Sequence, residues 1–309
     1  MTTFSRTTFN AARYRNFRPT YAPALYDLIY CFHAENGGEF LDAVDVGTGK
    51  CNWSYGLENV TAIITMTVRS NSLNLPYRIT LGNGQVAEAL SEKFEKVHGT
   101  DRSNIMLSHA VQKPNIDYRE TPAEELPFAD SSVDIITSGQ AFHWFDHPKF
   151  FEETKRILKP QGTLAVFGYS YAIVVGNKEA SDVIYDCGVN ELGPYWEPRI
   201  SILNNFYRDV SFPFKNVQWH FSHDELNSDN IGSVSPLPFM EQDMTLDHFE
   251  TFIKTWSSYA NYREKFPDAE DPIERMARKL QEVLGLKDRD METFKMQWPS
   301  VLVLAENDK

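Results

Sequence analysis

The chain has 309 residues, 42% of them apolar, enough to bury one large core or two modest ones. Forty-three acidic against 30 basic side chains leave a net charge of −13, which argues against a nucleic-acid binder with its basic footprint and disfavours an anionic membrane surface. Three scattered cysteines, Cys31, Cys51 and Cys187, fit neither a disulfide framework nor a zinc site, so no metal centre is expected.

The opening residues lack the apolar stretch of a signal peptide, and no apolar run approaches the ~18 residues of a membrane span. A soluble, cytoplasmic chain is expected. Residues 10–30 read as an irregular arm carrying Tyr14, Arg18 and Tyr21, then a helix that begins near Pro23, where proline suits a first turn. Residues 43–46 form a first strand running into the turn Gly47-Thr48-Gly49. The helix that should follow does not come at once. Residues 50–82 intervene, rich in Thr, Ser and Asn, with Glu58 their single acidic residue. Only then does Asn83-Gly84 open a helix over 85–94, with Val86, Ala87, Leu90 and Phe94 at helical spacing.

From there the pattern is regular. A strand over 96–100 ends at Asp101; a helix over 103–111 has Ser103 as its cap; a strand over 116–119 leads to the loop 120–130. A strand over 133–138, a helix over 148–158 capped by Asp146, a turn at 159–162 and a strand over 163–167 complete the series. Strands alternating with helices of this length mean βαβ units and a parallel sheet. Beyond residue 169 the rhythm changes. Helical stretches are expected over 178–189 and 201–207, a strand over 217–221, a loop-rich 224–243, a helix over 246–263 capped by Thr245, and a helix over 272–284. Residues 293–304 read as a hairpin-like pair or one edge strand containing Pro299.

A glycine turn after the first strand lets a cofactor approach the backbone at the carboxyl ends of a parallel sheet. By itself it is generic. Four features narrow it: Asp45 ahead of the first glycine, Asp101 ending the second strand, the loop Pro122-Ala123-Glu124-Glu125-Leu126-Pro127-Phe128, and Gln140-Ala141-Phe142-His143-Trp144-Phe145-Asp146 after the fourth strand. A nicotinamide oxidoreductase, the alternative for such a sheet, is disfavoured by Asp45 and by that loop.

Together these motifs resemble the class I S-adenosylmethionine-dependent methyltransferases of the type-11 family, over about residues 10–170. The stretches His143-Trp144-Phe145-Asp146, ELGPYWEP and KTWSSYANY resemble fungal trans-aconitate 3-methyltransferases and extend the likeness over most of the chain. The resemblance implies an α/β, Rossmann-like single domain with a mostly parallel seven-stranded sheet, helices on both faces, and a helical cap from insertions within 170–292. It implies S-adenosylmethionine as cofactor, held by Asp45, Gly47, Gly49, Gly84, Asp101, Ala123, Glu124 and Gln140. It implies a small, anionic acceptor such as trans-aconitate, met by Tyr14, Arg18, Tyr21, Tyr195, Trp196 and Arg199, on a monomer. Arg199 ranks first as the partner of an acceptor carboxylate and Arg18 second, because a guanidinium fork matches a carboxylate. His143 is either a general base for a hydroxyl acceptor or a packing residue; a carboxylate acceptor would need no base.

The family pattern is met only if residues 50–82 are skipped, which joins Asp45-Val46-Gly47-Thr48-Gly49 to Asn83-Gly84-Gln85-Val86-Ala87. A retained intron translated in frame would explain it. Gly49-Lys50-Cys51 can be encoded with a donor-like GTAAGT, and Leu81-Gly82 with an acceptor-like TAG. The segment is then expected to impair cofactor binding, leaving a catalytically weakened relative as the alternative to an active enzyme.

Overall fold

The computed structural model describes residues 18–48 and 84–308; Tyr14, Gly49 and the segment 50–82 lie outside them. Helix α1 (Pro23–Glu35) has proline in its first turn and buries Leu25, Ile29 and Phe32. Strand β1 (Asp42–Val46) follows, then α2 (Gln85–Leu90), β2 (Lys96–Asp101), α3 (Asn104–Leu107), β3 (Ile116–Glu120), β4 (Val133–Gly139), α4 (His147–Ile157) and β5 (Leu158–Tyr169). The rest comprises β6 (Ile173–Val174), α5 (Lys178–Tyr185), α6 (Ile200–Asn204), β7 (Lys215–Phe221), β8 (Ser233–Val234), β9 (Glu241–Thr245), α7 (Leu246–Ile253), α8 (Ser257–Lys265), α9 (Pro272–Leu284), β10 (Thr293–Gln297) and β11 (Ser300–Glu306).

The main sheet has the order β3-β2-β1-β4-β5-β11-β7-β8. Its β3 to β5 half is parallel, and β11 runs antiparallel to both β5 and β7. This is the Rossmann-like methyltransferase fold, with one strand more than the seven expected. The extra strand is β8, two residues pairing with His220 and Phe221 at the edge. Alternate residues of a strand point to opposite faces, and both faces are apolar. Val44 and Val46 join Phe150, Phe151 and Ile157 of α4 on one side, while Ala43 joins Leu25, Ile29, Val86 and Leu90 of α1 and α2 on the other. Each fully buried large side chain contributes about 1.5–3 kcal/mol. A third core, built on Phe249, Phe252, Met276, Leu280 and Trp298, holds the cap against a small antiparallel sheet of order β6-β10-β9.

Several expectations are corrected. The helix read over 103–111 is the single α-turn of α3, because the N–H groups of His109 and Ala110 bond carbonyls three residues back and tighten the chain into the next loop. Ser103 occupies its cap position without a side-chain cap bond. The turn at 159–162 is instead part of β5, absorbed as an irregularity with Gln161 at φ 65° and a register shift opposite Val133 and Ile135. The helix over 246–263 breaks into α7 and α8, where the Thr255 hydroxyl donates to the Phe252 carbonyl (2.6 Å) and Trp256 turns extended. Helix α6 stops at Asn204, with Phe206 and Tyr207 at φ 52° and 62°. Residues 293–304 are neither hairpin nor edge: β10 belongs to the small sheet, and β11 is an interior strand of the large one.

Candidate active site

The strand order reverses between β1 and β4, and ligands of open α/β sheets bind at the carboxyl ends beside such a reversal. Asp45 sits there, 1% exposed, in register with Gly99 of β2 and Thr137 of β4. Its Oδ1 accepts the Thr137 hydroxyl at 2.9 Å, and the Thr48 hydroxyl lies 2.7 Å from its Oδ2. Burial pushes the Asp45 carboxyl up to about 6, more than these two bonds pull it down, and the charge of Asp101 adds to the rise. Asp45 thus fastens the glycine turn to β4 and shapes the site with both oxygens engaged.

The turn is held by main-chain bonds. The N–H groups of Gly47 and Thr48 both reach the Thr100 carbonyl, at 2.8 and 3.0 Å, and Gly47 has φ 77°. Across the segment 50–82, the N–H of Gly84 donates to the Thr48 carbonyl at 3.1 Å. The two halves of the motif therefore close on each other. Gly84 has φ 87°, and a Cβ there would lie 2.8 Å from the Tyr118 hydroxyl oxygen, so only glycine fits.

Other expected cofactor residues gather at the same strand ends. Asp101 closes β2, its Oδ1 accepting the Ser103 N–H at 2.9 Å. Ala123 is buried in the core under the loop after β3. Glu124 Oε1 accepts the Asp146 N–H at 2.8 Å and ties that loop to the one after β4. Gln140, at φ 54°, exchanges two bonds with the Tyr169 backbone: its Nε2 donates to the carbonyl (3.0 Å) and its Oε1 accepts the N–H (2.8 Å). Its amide clamps β4 to β5.

Beside this point lies a cleft between the sheet and the cap. Arg18 enters from the N-terminal arm, buried, its Nη1 donating to the Tyr169 hydroxyl at 2.9 Å and its guanidinium 5.2 Å above the Phe252 ring. His143, in the short 3-10 turn Phe142–Trp144, is buried in the wall. Trp196 lines the cleft with Tyr171 and Trp256. Burial pushes the Tyr171 phenol up to about 12, so it stays protonated at neutral pH. Tyr21 packs edge-on against Phe167 at 4.8 Å, next to Tyr169.

Three expected acceptor residues, Tyr21 and two others, do not line the cleft. Tyr195 packs on Tyr262 and Phe266, and its carbonyl accepts the Asn261 side chain. Arg199 is exposed, and its Nη1 donates to the carbonyls of Trp144 (3.0 Å) and Phe145 (2.8 Å). Arg18, ranked second from sequence, is the arginine that lines the cleft. Sequence reading misses Tyr169, Phe252 and Trp298, which also line it. The KTWSSYANY stretch is a signal for neighbouring Trp256, but nothing local marks the others.

A family model described as a methyltransferase domain matches residues 78–166. A Dictyostelium discoideum chain provisionally named a methyltransferase is 25% identical over 296 residues, covering 96% of this chain and 92% of that one. A probable S-adenosylmethionine-dependent methyltransferase of Saccharomyces cerevisiae is 24% identical over 327 residues, covering 98% of each. Among solved structures, one from Anaeromyxobacter dehalogenans, provisionally named a type II methyltransferase, superposes with a TM-score of 0.65 at 23% identity, covering 94% of this chain and 98% of that one. The fold is that of the class I methyltransferases, and the domain match and the full-length relatives support an S-adenosylmethionine-dependent methyltransferase. Among the described residues, no helix is long and apolar enough to cross a membrane.

Proposed function

We propose that the chain transfers a methyl group to a carboxylate oxygen of a small anionic acceptor, with trans-aconitate or a related polycarboxylate as the reading the sequence resemblance favours. The observation that carries it is Arg18, a guanidinium buried in an aromatic cleft next to the strand reversal. The glycine turn fits the cofactor: Gly47 and Gly84, both at positive φ, leave backbone without side chains where the cofactor must pass. Asp101 would receive ribose hydroxyls, the Ala123–Glu124 loop would flank the adenine, and Asp45 and Gln140 would hold the strand ends that frame them. S-adenosylmethionine supplies an electrophilic methyl group on a sulfonium when bound.

The protein's own work is then placement. A carboxylate with a pKa near ~4 is already anionic at neutral pH, so Arg18 need only orient it, while the rings of Trp196, Tyr171 and Trp256 exclude water. His143 is wall in this reading; for a phenol or alcohol acceptor it would be the base. Calorimetric titration with S-adenosylhomocysteine, followed by a methyl-transfer screen over polycarboxylates and small phenols, tests both. Transfer to phenols alone, lost in His143→Ala, would replace the carboxylate reading.

A second reading concerns the segment 50–82. The bond from Gly84 N–H to Thr48 C=O is the one that closes a four-residue turn with two residues between its ends. Gly49 and Asn83 would supply those two residues if the segment were absent. The family match begins at residue 78, near the end of the segment, and leaves the β1 half of the turn outside it. In this reading the segment is dispensable to the fold and burdens the cofactor turn. Deleting 50–82 is expected to strengthen S-adenosylhomocysteine binding; equal affinity in the two chains would refute the burden, and a transcript survey finding no shorter message would refute the intron origin.

A further inference from the structure

The cleft carries little charge for its size. Seven of its fourteen lining residues are Trp, Tyr or Phe, and among the described residues Arg18 is the single lining residue with a fixed charge. One of the aromatics is anomalous. Trp298 is 1% exposed, pinned where the chain passes from the small sheet to the large one: its N–H donates to the Met240 carbonyl (3.2 Å), and its own carbonyl accepts the Ser300 hydroxyl (2.5 Å). Its indole Nε1–H is buried and has no hydrogen-bond partner among the described residues. A buried donor left unmade is costly and rare in a folded protein. Phe252 joins this group to Arg18: the Trp298 ring stands edge-on to it at 5.9 Å, and the guanidinium lies 5.2 Å from its centroid.

Resting on the methyl-transfer reading above, we propose that the Trp298 indole N–H is a second donor, beside Arg18, to the carboxylate of a planar, conjugated acceptor. A flat, conjugated acceptor offers its faces and edges to the rings of Tyr171, Trp196 and Trp256, which line the cleft.

The test is binding to the full chain by calorimetry, with and without S-adenosylhomocysteine. The probes are trans-cinnamate, trans-aconitate and cinnamyl alcohol, so that two share an unsaturated carboxylate and two share a phenyl ring. Both anions should bind more tightly than the alcohol, and Trp298→Phe should weaken them by roughly 10- to 100-fold, the worth of a hydrogen bond to a charged group. The alcohol should be insensitive to that change, and the S-adenosylhomocysteine affinity should not move. If Trp298→Phe folds poorly, benzothienylalanine at position 298 removes the N–H while keeping the bicyclic shape. No effect of losing the N–H, or no binding of either anion, overturns the proposal. Failure to bind S-adenosylhomocysteine even after deletion of 50–82 would instead overturn the methyl-transfer reading.

Discussion

The two sides of the site are built by different chemistry. On the proposed cofactor side, the ends of β1, β2 and β4 close on one another through hydrogen bonds: Asp45 to Thr137 and Thr48, Gly47 and Thr48 to Thr100, and Gly84 to Thr48. On the proposed acceptor side, the end of β5 and the cap close through rings, with Arg18 on Phe252, Phe252 against Trp298, and Trp196 against Trp256. The polar side sets one backbone geometry, as suits a cofactor common to a large class. The aromatic side can change shape and size through single substitutions without touching that backbone. The polar and aromatic sides thus meet at the end of β5, where Gln140 bonds the Tyr169 backbone.

The sharpest test of the polar side is Asp45, because its burial opposes its charge. Its carboxyl is raised from 3.8 to about 6 in the folded chain. As pH rises from about 4 to 6, the unfolded state releases its proton first, so the folded state is progressively penalised. Stability is greatest below the unfolded pKa and is lost as pH rises through the folded one. A rise of that size corresponds to roughly 3 kcal/mol of penalty at neutral pH. Asp45→Asn keeps the shape and removes the titration. Urea unfolding at pH 4 and pH 7 should show the variant gaining about 2.5 kcal/mol on the parent between the two. A difference that does not change with pH would mean that the hydroxyl bonds of Thr48 and Thr137 fully offset burial, and the reverse trend that they outweigh it.

The same division governs what the sequence reveals. The cofactor side is legible because its information is local: a strand, a glycine and a carboxylate recur within a few residues, and βαβ periodicity orders the strands. Even the broken turn can be rejoined from its two half-motifs, and the Gly84–Thr48 bond joins it in space. The acceptor side depends on partners far away in sequence. Whether residues 293–304 form one strand or two is decided by Thr245 and Val174 on one side and Tyr169 and Phe221 on the other. Trp298 falls at the joint, where no periodicity marks it. Arg199 follows an aromatic loop, but position beside a motif says nothing about which way a long side chain turns.

Gln140 tests the seam between the two sides. Gln140→Ala loses both bonds to the Tyr169 backbone and places a Cβ residue without a compensating contact at φ 54°. Destabilisation of about 2 kcal/mol is expected. Gln140→Gly loses the same bonds but relaxes the left-handed backbone, so it should recover about 1 kcal/mol of that in chemical denaturation. Equal losses would show that the backbone there is held by β4 and β5 alone.

The smallest expected effect separates the two arginines. Arg199 lies on the surface and donates one nitrogen to two carbonyls, those of Trp144 and Phe145. Water can replace it at both, so Arg199→Ala should cost no more than about 1 kcal/mol in stability. Because the guanidinium is outside the cleft, the acceptor KM should stay unchanged. Arg18→Met, which keeps the apolar stem over Phe252 and removes the charge, should raise acceptor KM by roughly tenfold or more, the value of a hydrogen bond to a charged group. A KM rise in Arg199→Ala matching that of Arg18→Met would mean that the acceptor extends past Trp144 to the surface, and that the boundary between cleft and cap lies one residue layer further out.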